Sequence, residues 1–407
     1  MTKVTNHEHT LANGLKLIGE VNPAAKSVAM GYFVKTGARD ESKKESGVSH
    51  FLEHMMFKGT QTRSTLDITY ALGNMAAKSN AYTSEESTVY YAAVLPEYFD
   101  SLKELLSDML RPSLDPTEFE VEKKVILEEI ALYKDRPHYF LFEHMLKDFF
   151  GQHPAGQSVL GSTESIAAVT RDEMKAYFER RYLPSNMVVV AAGNYNWDVF
   201  VADIEKYCGA WIKGEASRSH VPFSYQEVKR EYNKKDLKQA HLALSVPGPS
   251  AQQVERYAMS VLATIVGDGI GSKLYWELVD EGLAESADID LDEKDDTGLV
   301  FVYAGTEPDK LDIVRTKVMS IINNPLDFTE DELHRAKTKI VTRTALGHES
   351  TMGRMRALGH EWLARKRIHN LNDYMKQIES VTRSTIEDAL IKFPWQNWSE
   401  FTLLGAA

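Results

Sequence analysis

The sequence contains one cysteine, Cys208, in 407 residues. An internal disulfide framework is therefore excluded, and a reducing compartment is the expected setting. Long apolar runs are also missing. Nothing in the chain extends far enough to span a bilayer, and the N-terminus (MTKVTNHEHTLANGLKLIGE) lacks the apolar core of a signal peptide. Nor is there an excess of cations. Lys and Arg total 47 against 59 Asp and Glu, a formal charge of −12, so no broad basic face is offered to a nucleic acid. No segment is poor enough in apolar residues to read as disordered, the hydrophobic fraction being 43%. These absences leave a cytoplasmic globular protein with no membrane or nucleic-acid partner, long enough to need more than one core.

The most informative positive feature is a repeat at an offset of 212 residues. Leu114-Asp115-Pro116-Thr117-Glu118 returns as Leu326-Asp327-Phe328-Thr329-Glu330, and Tyr91-Ala92 with Pro96 returns as Tyr303-Ala304 with Pro308. Ile166, Val169, Thr170 and Arg171 return as Ile378, Val381, Thr382 and Arg383, and Gly193 as Gly405. Matches in one register over such a span imply two homologous domains. The expected split is 1–215 and 216–407, with the polar stretch KGEASRSHVP as linker. SVAMGYFV, STVYYAAV, AHLALSV and TGLVFVYA read as strands, and EYFDSLKELLSDML and the segments starting at Asp115 and Asp327 as helices. The fold class expected is α+β, each domain a mainly antiparallel sheet packed with helices.

His50-Phe51-Leu52-Glu53-His54 lies in a segment of helical character. One turn apart, His50 and His54 share a face and both imidazoles reach one ion, with Glu53 beside them to accept a proton from metal-bound water. This spelling reverses the H-E-x-x-H zinc helix. The bland alternative is two surface histidines and a salt-bridging glutamate. Phe51, Leu52, Met55, Met56 and Phe57 argue against it, because imidazoles in so apolar a segment need a reason. A catalytic metal takes a third protein ligand and keeps an open position. The helix starting at Asp115, with Pro116 in its first turn, offers Glu122 and Glu129 within an apolar stripe of Val125, Ile126 and Tyr133. Seven residues bring Glu129 to within roughly 20° of Glu122, while Glu128 points roughly 120° away toward solvent. The bland alternative here is a buried ion pair, although Lys123 and Lys124 project from other faces. At the repeat offset His50, Glu53 and His54 become Leu262, Ile265 and Val266, and Glu122 and Glu129 become His334 and Val341. The second domain thus lacks the metal residues.

HFLEHMMFKGT, followed 75 residues after its last histidine by Glu129 in EKKVILEEI, resembles the pitrilysin, insulysin and mitochondrial processing peptidase family. The likeness extends over NAYTSEESTVYYA, HPAGQSVLGSTESI and the two-domain organisation. It implies that His50, His54 and Glu129 hold one zinc ion, that Glu53 is the general base, and that Glu122 orients the site from outside the ligand shell. Manganese or cobalt are alternatives by ligand chemistry. It also implies that peptides lie extended along a sheet edge, received by Asn80, Ala81 and Tyr82. The bland reading of Asn80 is a turn residue. The function implied is that of a zinc-dependent endopeptidase acting on peptides or unfolded segments.

One departure matters. The family's second half carries an Arg and a Tyr, seven residues apart, that complete the active site. Here GSKLYWELVDEGLAES has Glu285 where the Tyr is expected, is a residue shorter, and no arginine occurs between Arg256 and Arg315. In the family four homologous units enclose the substrate and this chain supplies two. A dimer is therefore expected, with a homologous subunit that supplies the pair in trans. A homodimer using Lys273 or Tyr275 is the alternative. The competing function is a non-catalytic or weakly catalytic peptide-binding subunit of a larger complex. Other motifs lead nowhere: the glycine-rich Gly267–Lys273 fits no phosphate loop, Asp288, Asp290 and Asp292 lack the rest of a calcium loop, and His360-Glu361 meets Ala364 where a second histidine would stand.

Overall fold

The computed structural model describes residues 4–368 and 370–406. Its strands are β1 (Thr5–Thr10), β2 (Lys16–Val21), β3 (Val28–Val34), β4 (Lys78–Thr83), β5 (Thr88–Val94), β6 (Met187–Gly193), β7 (Lys229–Lys234), β8 (Ala240–Pro247), β9 (Ser286–Glu293), β10 (Gly298–Thr306) and β11 (Ser399–Gly405). They form two sheets, ordered β1-β2-β6-β3-β5-β4 and β7-β11-β8-β10-β9. Only β2–β6 and β7–β11 pair in parallel; every other pairing is antiparallel. The expected α+β class is what is found. The repeat maps strand for strand: moved by 212, β6 falls on β11 and β3 on β8, and the second sheet reproduces the first without the exposed edge strand β1.

The central strands are apolar throughout because both faces of each sheet are covered. Every residue of β3 and β6 is buried. Contacts divide the chain into two compact units. The first comprises Met1–Ala131, Gln157–Ser219 and Leu346–His369; the second, Leu132–Gly156, His220–Ala345 and Asn370–Ala407. In the first unit, helix Thr351–Arg365 lies on the sheet and buries Met355 and Leu358 against Phe33, Val188 and Val190. Each such side chain, fully buried, is worth about 1.5–3 kcal/mol. The approach is close enough to require glycine at 359, where a Cβ would stand 2.3 Å from the Phe33 ring. In the second unit helix Pro137–Phe150 does the same, setting Leu141, Met145 and Phe149 against Phe401 and Leu403. These two helices correspond at the repeat offset, yet each covers the sheet written in the opposite half of the sequence. Among the described residues no helix is long and apolar enough to cross a membrane.

Candidate metal centre

Helix Val48–Met55 carries His50, Glu53 and His54 in the first unit. Gly47 caps its start with φ of 89°, and a Cβ there would lie 2.6 Å from the Leu160 carbonyl oxygen. The amides of Gly47 and Ser49 both donate to the Glu41 carboxylate at 2.7 Å. The Glu41 carboxyl thus caps the first turn of the helix, accepting two amides that have no partner within it. Ser49 Oγ meets Tyr177 Oη at 2.7 Å, and Phe51 stacks on Phe119 with 4.8 Å between ring centroids.

Phe119 belongs to helix Pro116–Asp135, whose first amides at Thr117 and Glu118 are accepted by Asp115 Oδ1 at 2.8 and 3.1 Å. Asp115 is thus the N-cap of this helix. The buried stripe of this helix is Phe119, Glu122, Ile126 and Ile130. Val125, expected in the stripe, is instead 43% exposed. The apolar face is set by a three- and four-residue rhythm from Phe119, and Val125 falls one position short of Ile126. Glu128 is exposed and Glu129 half-buried, as the helix arithmetic requires.

His50 Nε2 and His54 Nε2 lie 3.8 and 3.7 Å from the same atom, Glu129 Oε2. One atom from each of His50, His54 and Glu129 falls within 4.8 Å of the others, and among the described residues no other such group is found. Two bonds of 2.0–2.2 Å at a tetrahedral angle span about 3.4 Å, so each imidazole Nε2 already stands within a few tenths of an ångström of the separation from Glu129 Oε2 that a shared zinc-sized ion requires. The donor set of two imidazoles and a carboxylate suits zinc. Nδ1 of His50 is buried without a hydrogen-bond partner, while its Nε2 is the nitrogen turned to Glu129. His54 Nδ1 is 2.8 Å from Glu122 Oε1, and Lys58 Nζ is 2.6 Å from Glu122 Oε2. Hence Nε2 is the His54 atom left for a metal. The cation beside Glu122 is Lys58; Lys123, which points elsewhere, donates to the Val169 carbonyl at 2.7 Å.

Burial pushes the His50 pKa down to about 3, with His54 adding to the effect, so this imidazole stays neutral and keeps its lone pair. Burial also pulls His54 down, but Glu122, Glu53 and Glu129 outweigh it and hold the ring above its ordinary value. Glu122 is lowered: burial raises it, and the bonds from His54 and Lys58 overcome that. Glu53 is raised, chiefly by burial and further by Glu129, while the Thr83 hydroxyl and His54 pull back. Thr83 Oγ1 donates to Glu53 Oε2 at 2.6 Å.

Thr83 ends β4, the free edge of its sheet, and Asn80, Ala81 and Tyr82 precede it there. Asn80 is exposed, and its side chain accepts from the Ala81 amide at 2.9 Å. The strand gives unpaired peptide groups on one side, as any sheet edge does. Sequence reasoning missed Lys58 and Glu41, and it read Thr83 only as the end of the substrate-receiving strand, not as the partner of Glu53. Period-two alternation along NAYT would have placed Thr83 on the face of β4 opposite Tyr82; nothing local marks the other two.

In the second unit Leu262, Ile265 and Val266 are buried in an apolar core against which Val341 packs, and His334 is exposed. The architecture is repeated there and the metal residues are not. His360 and Glu361 form no metal site: Glu361 is paired with Arg365 and Arg367.

Comparison with known proteins places these features in context. Residues 16–163 match the model of the insulinase family of peptidases, family M16, and residues 168–340 match that of the M16 inactive domain. A protein of Mycobacterium bovis named an uncharacterized zinc protease is 35% identical over 381 residues, covering 92% of this chain and 87% of its own length. The Bacillus subtilis protein named uncharacterized zinc protease YmxG is 32% identical, covering 92% of each. The fold is shared with a protease from Helicobacter pylori at a TM-score of 0.91 and 21% identity, over 98% of this chain and 99% of that one. It is shared too with a chain of Complex III2 from Candida albicans, at a TM-score of 0.86 and 18% identity over 99% and 96%.

Proposed function

This chain belongs to the insulinase family of peptidases, family M16, and on that footing we propose that it is a zinc-dependent endopeptidase cleaving peptides or unfolded polypeptide segments. His50, His54 and Glu129 are the ligands of one zinc ion per chain, Glu53 is the general base, and Glu122 orients His54. The observation that carries this reading is the convergence of three ligand atoms within 4.8 Å beside the carboxylate of Glu53. When bound, zinc supplies a Lewis acid that polarises a scissile carbonyl and lowers the pKa of water to about 7. The chain's own residues do the rest. Thr83 holds Glu53 Oε2, which leaves Oε1 to take the proton of the attacking water and return it to the leaving amine. Glu122, itself anchored by Lys58, fixes the His54 ring through Nδ1. The free edge of β4, at Asn80, Ala81 and Tyr82, receives an extended peptide by backbone pairing, which gives affinity with little demand on sequence.

The active form is a dimer in which a homologous subunit supplies the Arg/Tyr pair that the segment ending at Glu285 lacks. That same absence supports the competing reading, a peptide-binding subunit with little activity of its own. Glu53→Gln separates the two. The variant should keep about one zinc per chain by elemental analysis and lose peptide hydrolysis by about 10²–10⁴-fold, since it removes the base and spares the ligands. A variant as active as the parent would remove Glu53 from this role. A parent that binds zinc and peptide yet cleaves nothing, even with its partner, would establish the binding subunit.

A further inference from the structure

The face of β4 turned away from Glu53 carries its own chemistry. Side chains alternate along the strand, so Ala81 and Thr83 share the face that meets Glu53, whereas Lys78, Asn80 and Tyr82 share the other. Helix Thr351–Arg365 overlies that second face. Its His360 places Nε2 2.6 Å from Tyr82 Oη, with the two rings stacked at 6.1 Å. Phe33 meets the edge of His360 at 5.6 Å, and Tyr91, directly opposite Asn80 in the ladder, lies 6.2 Å from Tyr82. The guanidinium of Arg356 stands 5.9 Å from the Tyr91 ring. Its charge is felt by both neighbours, opposing the burial-driven rise of the Tyr82 phenol and adding to the burial-driven fall of His360.

Arg356 differs from the arginines around it. Arg354 is paired with Glu20, and both Arg365 and Arg367 with Glu361. Arg356 and Lys78 are exposed, and among the described residues neither meets a carboxylate. Two unpaired cations on one face stand out in a chain of net charge −12. Beneath Arg356 lies an aromatic floor of Tyr91, Tyr82 and Phe33, which thins the water around a bound charge and strengthens its pairing. We propose that Arg356, with the Tyr82–His360 pair, forms a specificity subsite that takes a carboxylate-bearing side chain of the peptide paired along β4. The inference rests on the reading of β4 as the substrate strand. A peptide laid there sends alternate side chains to the Glu53 face and to this one, so selection falls on every second position and the scissile bond stays on the other side.

The test uses the zinc-loaded full-length chain, with its homologous subunit where that is needed for activity. The probes are C-terminally amidated peptides in which one Glu or one Lys is moved through an alanine–serine background. At alternate positions Glu should exceed Lys in kcat/KM by about five- to tenfold, the size of a partly shielded charge pair. Arg356→Gln should bring that ratio to within about twofold of unity, Arg356→Glu should invert it, and Arg356→Lys should restore most of it. A ratio near one in the parent, or one unchanged in Arg356→Gln, overturns the subsite. So does selectivity seen only with a free C-terminus, since the carboxylate recognised would then be the terminal one. Binding of the same peptides, labelled, to the Glu53→Gln chain gives the ratio without turnover. If the parent cleaves nothing while this ratio still responds to Arg356, the peptidase reading has failed and the subsite has not.

Discussion

Glu128 and Glu129 are chemically identical neighbours, and the helix between Pro116 and Asp135 assigns them opposite surroundings. Glu129 Oε2 lies within 3.8 Å of both imidazoles, while Glu128 is exposed. Glu129→Gln should therefore weaken zinc binding by at least about tenfold, and Glu128→Gln should leave it within about twofold. Competitive titration against a chelating dye measures both. Equal losses, or a loss confined to Glu128, would mean that the wrong carboxylate had been assigned. The residues that converge at the site were legible in part because helix geometry is periodic: one turn joins His50 to His54, and two turns bring Glu129 onto the face of Glu122, while the choice between those two carboxylates rests on the family resemblance. Lys58 and Thr83 were not. Lys58 lies beyond the end of its helix, and Thr83 meets Glu53 only because β4 runs beside the His helix. Val125 shows the limit of periodic reasoning, since a stripe one residue wide of the true one also looked apolar.

The helix Val48–Met55 is held in place from its first turn. Gly47 has a left-handed φ and no room for a Cβ, so Gly47→Ala should cost at least about 2 kcal/mol and lower zinc affinity by displacing His50. Glu41 holds the same turn by accepting two of its amides. Burial pushes its pKa up to about 8, although those hydrogen bonds pull the other way. An unfolded glutamate titrates at about 4.3, so between these limits the folded chain binds the extra proton. The stability it contributes is complete below about 4.3 and is lost as pH climbs toward 8. Melting curves from pH 5 to 8.5 should show the parent losing several degrees relative to Glu41→Gln, which has no proton to give up. Parallel curves would show that Glu41 is an ordinary carboxylate. The strands and helices themselves were readable: the four strands named from pattern are β3, β5, β8 and β10, and the helix starts at Asp115 and Asp327 stand near Pro116 and Glu330. Glu41 was not, because its partners lie six and eight residues away around a turn that no periodicity describes.

At the scale of the molecule the missing Arg/Tyr pair sets the expectation. The chain purified alone should be slower than its complex with a homologous subunit that carries the pair and lacks His-x-x-Glu-His. Donors at a reacting carbonyl are worth about 10²–10³ in rate, so specific activity with and without the partner decides the matter. A homodimer at full activity, gaining nothing from the homologue, would refute the requirement. The duplication was plain from a single offset of 212 residues, because local sequence writes local elements. The exchange of covering helices was invisible to the same reasoning, since Pro137–Phe150 and Thr351–Arg365 keep their places in the repeat and differ only in which sheet they bury. That exchange bears on how the chain is born. A ribosome that has reached Ser219 has written every strand of the first sheet, yet the helix that shields Phe33, Val188 and Val190 is still about 150 residues away. At 5–20 residues per second the apolar face waits roughly seven to thirty seconds for its cover, an interval in which a nascent chain meets either a chaperone or another nascent chain.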